Sequence, residues 1–396
     1  MRKKVLLTTR NFRNKGGKRA GESFVGSLTS SLSKHRNFDI SILSIDDETP
    51  DCEESCPRFN VTRIPSSFVP KGISASQFYT EFWLKGEKRT FLESFIQKNT
   101  DLSRIMKEAE NDLSEVDIIH WFDAFSPLVN LFILLSKLHG VKNYLTQFSF
   151  WKKYPLNNFL NKASLSNFDQ VITTTKSLAS FYRTEIGLRT DKVKHIPLGV
   201  DINLYRPPSN KGDLKEKRGI RKDHKVISWF GPIENCTFDD FRYLLFSTQK
   251  VHEIIPTSLF FFCFKDTIPD CVHPVGDYVR FINNLPGIWE ILRITDVVVL
   301  PGTLKSCRIG LPLTIVEAIA SGVPVITIKN RGVAEAIVNG FNGILTERLD
   351  EIPEAIINLC KEENKLIEMS RNSRTFAERQ FNIENVTQAY VNLWEQ

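Results

Sequence analysis

The segment that most constrains how this chain can fold is residues 310–328, in the last quarter of the sequence. An apolar run at 297–300 precedes it and ends in a Pro-Gly pair, and a second apolar run closes it at 323–328. Between these runs, apolar residues recur at helical spacing, Pro312 lies where a first helical turn tolerates proline, and Gly322 is a helix stop. The pattern predicts a strand, a loop, a helix and a second parallel strand.

The start of this predicted helix is suited to binding a phosphate. The first N–H groups of a helix have no acceptor within the helix, and the helix dipole favours negative charge there. Leu313 and Thr314 occupy that position, and Glu317 lies near it, where a carboxylate can accept hydrogen bonds from sugar hydroxyls. The residues alone leave a second interpretation open, in which the segment is an ordinary turn of a doubly wound domain.

Sequence motifs around this segment resemble the donor site of the retaining glycosyltransferases of family 4, which have the GT-B fold. In that family a Glu, seven residues and a second Glu precede Ala-x-Ala-x-Gly-x-Pro-Val. Here Glu317 begins Glu-Ala-Ile-Ala-Ser-Gly-Val-Pro-Val, and the motifs Arg-Gly-Val-Ala-Glu and Asn-Gly-Phe-Asn-Gly follow at 331–335 and 339–343. The position of the family's first Glu is occupied by Ile309.

The resemblance implies an α/β chain of the GT-B class, with two Rossmann-like domains facing a central cleft and a C-terminal helix crossing back onto the first domain. The length of 396 residues agrees, since it is too long for one ordinary core. A polar linker with two prolines, Pro207 and Pro208, marks the boundary. We expect an N-terminal acceptor-side domain over 1–205, a C-terminal nucleotide-sugar-binding domain over 206–375, and the crossover helix over 376–396.

Two features of the first domain, a glycine-bearing loop and a histidine, match positions that in the family lie near the donor. The opening strand leads into a loop with Gly16 and Gly17, and a backbone without Cβ atoms can approach a pyrophosphate closely. The run from Asp117 to His120 resembles the family's Asp-x-x-His strand end, whose His lies in the cleft near the donor sugar. The resemblance thus implies a catalytic role for His120. A hydrogen-bonded structural histidine at a strand end is the alternative.

The family's two pyrophosphate-binding cations, an Arg and a Lys, are missing from this chain. After the strand that opens the second domain, residues 231–237 read Gly-Pro-Ile-Glu-Asn-Cys-Thr, and Glu234 has the wrong sign for a phosphate. The charge of a leaving pyrophosphate is best stabilised by fixed dipoles and cations. Four cations that flank the predicted phosphate loops are the candidates to replace the missing pair: Lys15, Lys18, Lys305 and Arg308.

The first 36 residues carry an excess of positive charge, on a chain whose net charge is +6. Glu22 is their one acidic residue, and their cations are Arg2, Lys3, Lys4, Arg10, Arg13, Lys15, Lys18, Arg19, Lys34 and Arg36. Such a stretch suits phosphates and acidic lipid headgroups, so we expect peripheral contact with an anionic membrane. Nucleic acid is not expected as a partner, because the stretch lacks the interleaved aromatic residues of a recognition surface.

Cysteine spacing and apolar run lengths bear on cofactors and location. The seven cysteines are scattered and form no metal-binding pattern, which is typical of reduced thiols in a cytoplasmic protein. No apolar run approaches the roughly 20 residues that span a bilayer, and the first residues lead into a strand rather than a signal peptide. We expect a cytoplasmic protein, peripheral at the inner face of the membrane, with no metal or other cofactor and a nucleotide-sugar donor as substrate.

Two classes of function remain open. The resemblance implies transfer, with retention, of a sugar from a nucleotide-diphosphate sugar to the hydroxyl of a glycan or lipid-linked acceptor, in cell-surface polysaccharide or lipid-linked glycan synthesis. The departures at Ile309 and 231–237 favour instead a catalytically degenerate GT-B protein that serves as a binding or chaperone partner of an active glycosyltransferase. Another GT-B activity, such as sugar epimerisation, fits these residues less well.

Overall fold

The computed structural model describes residues 2–10, 20–35, 37–46, 60–65, 116–122, 133, 136–150, 162–231, 238–264, 268, 272–283, 287–302 and 310–396. The chain divides into two compact units. Unit 1 comprises Met1–Ile196 and Tyr390–Gln396, and unit 2 comprises Pro197–Ala389. The expected division into two α/β bodies is therefore present.

Unit 1 contains a sheet of seven parallel strands in the order β3-β2-β1-β4-β5-β6-β7. The strands are β1 (Lys3–Arg10), β2 (Phe38–Asp46), β3 (Asn60–Pro65), β4 (Ile118–Phe122), β5 (Lys142–Gln147), β6 (Gln170–Thr173) and β7 (Val193–His195). The order reverses between β1 and β4, as in doubly wound folds that bind ligands beyond the carboxyl ends of their strands. Leu7 of β1 pairs with His120 of β4, so His120 lies beside this switch point.

Amphipathic helices pack on the sheet of unit 1 because one face of each is apolar. Helix α1 (Ala20–Leu32) buries Phe24, Leu28 and Leu32, the face that its sequence predicts. Helix α2 (Lys176–Thr184) begins after Thr175, whose hydroxyl accepts a hydrogen bond of 3.1 Å from the backbone N–H of Leu178. A side-chain cap of this kind satisfies one of the N–H groups that the first helical turn leaves unpaired.

Unit 2 contains a second parallel sheet, of six strands in the order β10-β9-β8-β11-β12-β13. The strands are β8 (Lys225–Gly231), β9 (Ser258–Phe264), β10 (Val279–Ile282), β11 (Val297–Leu300), β12 (Val325–Ile328) and β13 (Gly343–Thr346). The order reverses between β8 and β11, so both sheets share the doubly wound pattern. The predicted strand at 297–300 and the strand that closes the following unit are confirmed as β11 and β12.

The helices of unit 2 are α3 (Lys211–Lys217), α4 (Phe238–Ile254), α5 (Trp289–Leu292), α6 (Leu313–Ala320), α7 (Ile352–Lys361) and α8 (Glu363–Gln380). The core between sheet and helices is rich in aromatic rings, among them Trp229, Phe241 and Phe262. Cys263 and Cys360, the two cysteines within the described ranges, are buried free thiols, and burial raises the pKa of both.

The domain boundaries differ from the expected ones in two places. Unit 2 begins at Pro197, ahead of the expected break after 205, because Val200 exchanges backbone hydrogen bonds of 2.9 and 3.0 Å with Phe381 and Ile383. The expected break after 375 falls inside α8, which continues to Gln380. The last helix, α9 (Ile383–Glu395), begins in unit 2, and its final residues belong to unit 1.

No helix in the described part of the chain is both long enough and apolar enough to cross a membrane.

Candidate functional site

Helix α6 directly follows the loop after β11, at the carboxyl edge of the second sheet and beside its switch point. Pro312 is the N-cap residue, with φ −61° and ψ 130°, and it supplies no side-chain hydrogen bond to the helix. The N–H of Ile315 bonds the Pro312 carbonyl at 3.1 Å. Leu313 and Thr314 therefore stand in the first turn, where helix geometry leaves N–H groups without an acceptor in the helix. This is the position expected from the sequence.

The opposite end of α6 is closed by a Schellman motif. Gly322 has φ +67°, its N–H bonds the carbonyl of Ile319 at 3.1 Å, and the N–H of Val323 bonds the carbonyl of Ala318 at 2.9 Å. Glycine suits this position because side chains disfavour the left-handed region. The predicted helix stop at Gly322 is confirmed, and the length of α6 is fixed at both ends.

Glu317 is buried in the second turn of α6, with 7% of its surface exposed. Its Oε1 accepts a hydrogen bond of 2.6 Å from the phenol of Tyr205, which lies in the segment that opens unit 2. Burial and then the Glu317 charge raise the pKa of Tyr205 well above its usual value. The phenol therefore keeps its proton and acts as the donor. The sequence did not predict this partner, since Tyr205 is 112 residues away.

Arg374 on α8 ties the carboxyl end of α6 to the same segment. Its Nη1 lies within hydrogen-bond distance of three backbone carbonyl oxygens, of Ala320 at 2.7 Å, Tyr205 at 2.8 Å and Ile202 at 2.9 Å, so its two N–H bonds are shared among them. Ala320 is the last residue of α6, and a cation is favourable at the carboxyl end of a helix dipole. One guanidinium thus holds the helix that carries Glu317 and the backbone that carries Tyr205.

The motif at 331–335 is positioned by a contact between two backbones. Gly332 is the N-cap residue of a short 3₁₀ helix, Val333–Glu335, and the Asn330 side chain accepts a bond of 2.9 Å from the N–H of Val333. A Cβ atom built on Gly332 would lie 1.4 Å from the carbonyl oxygen of Gly310. The motif therefore packs directly on the backbone just ahead of α6, which explains why glycine is present there.

His120 lies in the interior of unit 1 rather than at a strand end, because β4 continues to Phe122. Its ring is fully buried, Nε2 is 2.8 Å from the Thr146 hydroxyl, and Nδ1 accepts a bond of 3.0 Å from the indole N–H of Trp394. Burial lowers the pKa of His120 to about 3, so the ring is neutral at physiological pH. Since the indole can only donate, the proton of the neutral ring lies on Nε2.

These surroundings are those of a structural histidine, the alternative that the sequence left open. Both ring nitrogens of His120 are engaged, and the ring stacks on Phe122 with 4.6 Å between ring centroids. General acid–base catalysis by a histidine needs a ring nitrogen within hydrogen-bond reach of the substrate and a pKa near the working pH. The catalytic role implied by the resemblance stays a prediction, and this geometry speaks against it.

The remaining predicted site residues lie outside the described ranges. They are Lys15, Gly16, Gly17, Lys18, Lys305, Arg308 and Ile309, together with the segment 232–237. The prediction that one or more of these cations replace the missing Arg and Lys therefore stays a prediction. Within the described ranges, no group of three or more His, Cys, Asp or Glu side chains could hold a metal ion.

One cation of the basic N-terminal stretch, Lys3, forms hydrogen bonds within unit 1. The Lys3 ammonium group donates to the backbone carbonyl of Trp394 at 2.8 Å and to that of Glu395 at 3.4 Å, at the carboxyl end of α9. Cations are favourable at that end of a helix. Lys3 is therefore hydrogen-bonded within unit 1, and the residues Arg2 and Lys34 are exposed at the surface.

One buried polar side chain in unit 1 was not singled out from the sequence. Gln147 ends β5 at the carboxyl edge of the sheet, is 1% exposed, and has no hydrogen-bond partner for either amide atom in the described structure. A buried polar group without a partner costs free energy, so it requires an explanation. Its place at the carboxyl edge of a doubly wound sheet is where such folds bind ligands.

Comparison with known sequences identifies the family. The model described as "Glycosyltransferase Family 4" matches residues 21–204, and the model described as "Glycosyl transferases group 1" matches residues 273–376. An Escherichia coli protein named UDP-Gal:alpha-D-GlcNAc-diphosphoundecaprenol alpha-1,3-galactosyltransferase is 29% identical over 48% of this chain and 51% of its own length. A Campylobacter jejuni protein, N,N'-diacetylbacillosaminyl-diphospho-undecaprenol alpha-1,3-N-acetylgalactosaminyltransferase, is 27% identical over 60% of this chain and 63% of its own length. The chain thus spans about half to two thirds of the length of these relatives.

Solved structures agree on the fold over the full length. Sucrose-phosphate synthase from Thermosynechococcus elongatus aligns with a TM-score of 0.75 at 16% identity, covering 100% of this chain and 99% of that one. Anabaena HepE in complex with UDP aligns with a TM-score of 0.73 at 17% identity, covering 99% of each chain. With two doubly wound sheets, two matching family models and these neighbours, the chain belongs to the GT-B glycosyltransferases of family 4.

Proposed function

We propose that this chain transfers a sugar from a nucleotide-diphosphate sugar to an acceptor hydroxyl, with retention, in the synthesis of cell-surface polysaccharide or lipid-linked glycan. The observation that carries the proposal is helix α6, whose first turn has no side-chain cap and whose second turn holds a buried carboxylate, Glu317. A diphosphate is suited to the first turn, because unpaired N–H groups and the helix dipole both favour an anion there. Glu317 then accepts hydrogen bonds from the ribose.

A uridine diphosphate sugar is the first donor to test. The Escherichia coli relative carries UDP-Gal in its name, and Anabaena HepE has been crystallised with UDP and with UDP-glucose. No metal or other cofactor is part of the proposal. Cations from Lys15, Lys18, Lys305 or Arg308 compensate the leaving pyrophosphate, as the charge that develops on it requires.

A lipid-linked diphosphate glycan is the acceptor class to test. Both relatives named above act, by their names, on diphosphoundecaprenol-linked sugars. Such an acceptor lies at a membrane surface, so we propose a cytoplasmic protein held at the inner face by the basic stretch within residues 1–36. Lys3 is not part of that contact, because it bonds the end of α9. Sedimentation with anionic vesicles, but not with neutral ones, is the expected result.

A catalytically degenerate binding partner of an active glycosyltransferase is the second candidate. Ile309, the uncharged and acidic residues at 232–237, and the buried ring of His120 favour it. Turnover distinguishes the two candidates, because only the glycosyltransferase transfers sugar. An inactive partner that has kept the donor site binds nucleotide and transfers no sugar.

The experiment measures binding and turnover on the same preparation. Binding of UDP, GDP and ADP is measured by isothermal titration calorimetry, and sugar transfer is measured with radiolabelled UDP-sugars and a polyprenyl-diphosphate-linked acceptor. We expect binding of one nucleotide and transfer above the no-enzyme background. Binding without transfer from any donor supports the degenerate partner. Absence of both nucleotide binding and sugar transfer rejects the glycosyltransferase and favours a degenerate partner that has lost its donor site.

A further inference from the structure

The hydrogen bond between Tyr205 and Glu317 connects the proposed donor site to the segment that opens unit 2. The two groups are 2.6 Å apart, both residues are buried, and the carboxylate is charge-assisted as an acceptor. A carboxylate has about four acceptor sites, and the phenol uses one of them. The bond therefore restricts the orientation of the carboxylate.

Tyr205 is held in place by its own backbone, independently of Glu317. Its N–H bonds the Asp201 carbonyl at 2.9 Å, and its carbonyl accepts from Arg374 at 2.8 Å. The Asp201 side chain caps the same turn through the N–H groups of Asn203 at 2.8 Å and Leu204 at 3.2 Å. Because the turn and the guanidinium fix this residue, replacement of Tyr205 by Phe removes the hydroxyl and retains the ring.

We propose that Tyr205 is a positioning residue for donor recognition, which orients the Glu317 carboxylate towards the vicinal hydroxyls of the nucleotide ribose. This inference rests on the proposed function. A glutamate side chain has several rotatable bonds, and binding is stronger when a group is held in its bound geometry beforehand. Because the pKa of Tyr205 is raised, the phenol keeps its proton and donates to Oε1, which holds the carboxylate in one orientation.

Nucleotides with and without ribose hydroxyls distinguish a positioning role of the Tyr205 hydroxyl from a role in supporting the local fold. If Tyr205 acts through Glu317 on the ribose, its hydroxyl matters for nucleotides with both ribose hydroxyls and not for their 2′,3′-dideoxy forms. If the hydroxyl only supports the local fold, both nucleotides lose affinity together. The ratio of the two dissociation constants therefore reports positioning.

The test measures dissociation constants of UDP and 2′,3′-dideoxy-UDP by calorimetry for the wild type, Tyr205→Phe and Glu317→Gln, with GDP and its dideoxy form used if GDP binds more tightly. Tyr390→Phe is the matched control, since it removes a different buried phenol, which lies 3.1 Å from the Thr146 hydroxyl in unit 1. We expect Tyr205→Phe to weaken UDP binding by about tenfold, equivalent to about 1.4 kcal/mol, and dideoxy-UDP binding by less than about twofold. Glu317→Gln should lose the same discrimination, and Tyr390→Phe should retain it.

The outcomes distinguish this inference from the proposed function. Equal losses for UDP and dideoxy-UDP in Tyr205→Phe, or no loss for either, overturn the positioning role while leaving the donor site intact. If the wild type binds no nucleotide at all, the proposed function and this inference fail together. Circular dichroism spectra and unfolding midpoints of each variant identify a protein that has lost its fold.

Discussion

The backbone of Gly332 lies so close to Gly310 that a Cβ atom on Gly332 would be 1.4 Å from the Gly310 carbonyl oxygen. Gly332 has φ −75° and ψ −41°, a conformation that any residue adopts. Space, rather than backbone conformation, therefore requires glycine at this position. The contact packs the backbone of Gly332 against Gly310, two residues ahead of the N-cap residue Pro312 of helix α6.

Gly332→Ala should destabilise unit 2, because a methyl group at this position forces two backbone segments apart. We expect the free energy of unfolding to fall by about 1–3 kcal/mol, as for other overpacked sites. Urea unfolding followed by tryptophan fluorescence measures it. Gly212→Ala is the control, since its nearest neighbour, at 3.2 Å, is the flexible side chain of Lys222. Equal stabilities of the two variants would contradict the prediction.

His120 should make the stability of the protein depend on pH. Burial lowers its pKa to about 3 in the folded state, against about 6.5 in the unfolded chain. Between these values the unfolded state binds more protons, so the unfolding free energy falls as pH falls below 6.5. This one residue should remove about 2 kcal/mol between pH 7.5 and pH 5.

The measurement for His120 is a series of urea unfolding curves between pH 5 and pH 7.5. His120→Gln should be less stable at pH 7.5 and should show a shallower pH dependence than the wild type. Tyr390→Phe, which perturbs the neighbouring helix but keeps the histidine, should retain the wild-type slope. An unchanged slope in His120→Gln would show that the ring is not the titrating group.

Arg374 should contribute more to the free energy of unfolding than other arginines on α8. Its Nη1 reaches the three carbonyl groups of Ile202, Tyr205 and Ala320, and hydrogen bonds to a charged group contribute about 1.5–3 kcal/mol. Arg374→Met should lower the unfolding free energy by about 2–4 kcal/mol, since carbonyl groups then lose their donor. Arg371→Met, at an exposed position on the same helix, should change it by less than about 0.5 kcal/mol. Similar costs for both variants would argue against the role of the three carbonyl contacts.

Glu317 is better tested with a glutamine than with an alanine. From the sequence, an alanine should weaken nucleotide binding with little effect on folding. The structure corrects the second part, because Glu317→Ala leaves the buried Tyr205 hydroxyl without its acceptor, at a cost of about 1–3 kcal/mol in stability. Glu317→Gln retains an acceptor oxygen and should fold normally, with nucleotide affinity lowered by about 1.5–3 kcal/mol in calorimetry. Wild-type affinity in this variant would rule out a ribose contact.

In the protein without ligand, the buried amide of Gln147 should lower the free energy of unfolding relative to an apolar side chain of the same shape. Its amide atoms are buried without a partner in the described structure, and a buried polar group of this kind costs about 1–3 kcal/mol. Gln147→Met has a similar shape and should raise the unfolding free energy by about 1 kcal/mol. If the Gln147 amide binds a hydroxyl of the acceptor, Gln147→Met should also raise the KM for the acceptor. A loss of stability on replacement by methionine would indicate that the amide has a partner after all.

Local sequence patterns determined much of the fold. Helix α6 and its two flanking strands follow from an apolar period of 3.6 between two short apolar runs, and the stop at Gly322 follows from the need for a positive φ. The motif that begins at Glu317 pointed to the family, and the family matches agree. These features depend on residues that are close together in the sequence, and for that reason they can be read from it.

Tertiary structure alone decided the environments of the functional side chains. Tyr205 reaches Glu317 across 112 residues, Arg374 reaches Ile202 across 172, and Trp394 reaches His120 across 274. No periodicity or motif encodes such pairs, because they depend on how strands and helices pack rather than on local conformational preference. The sequence therefore determined which residues have suitable chemistry, while packing decided that His120 is enclosed and neutral and that Glu317 is held by a phenol.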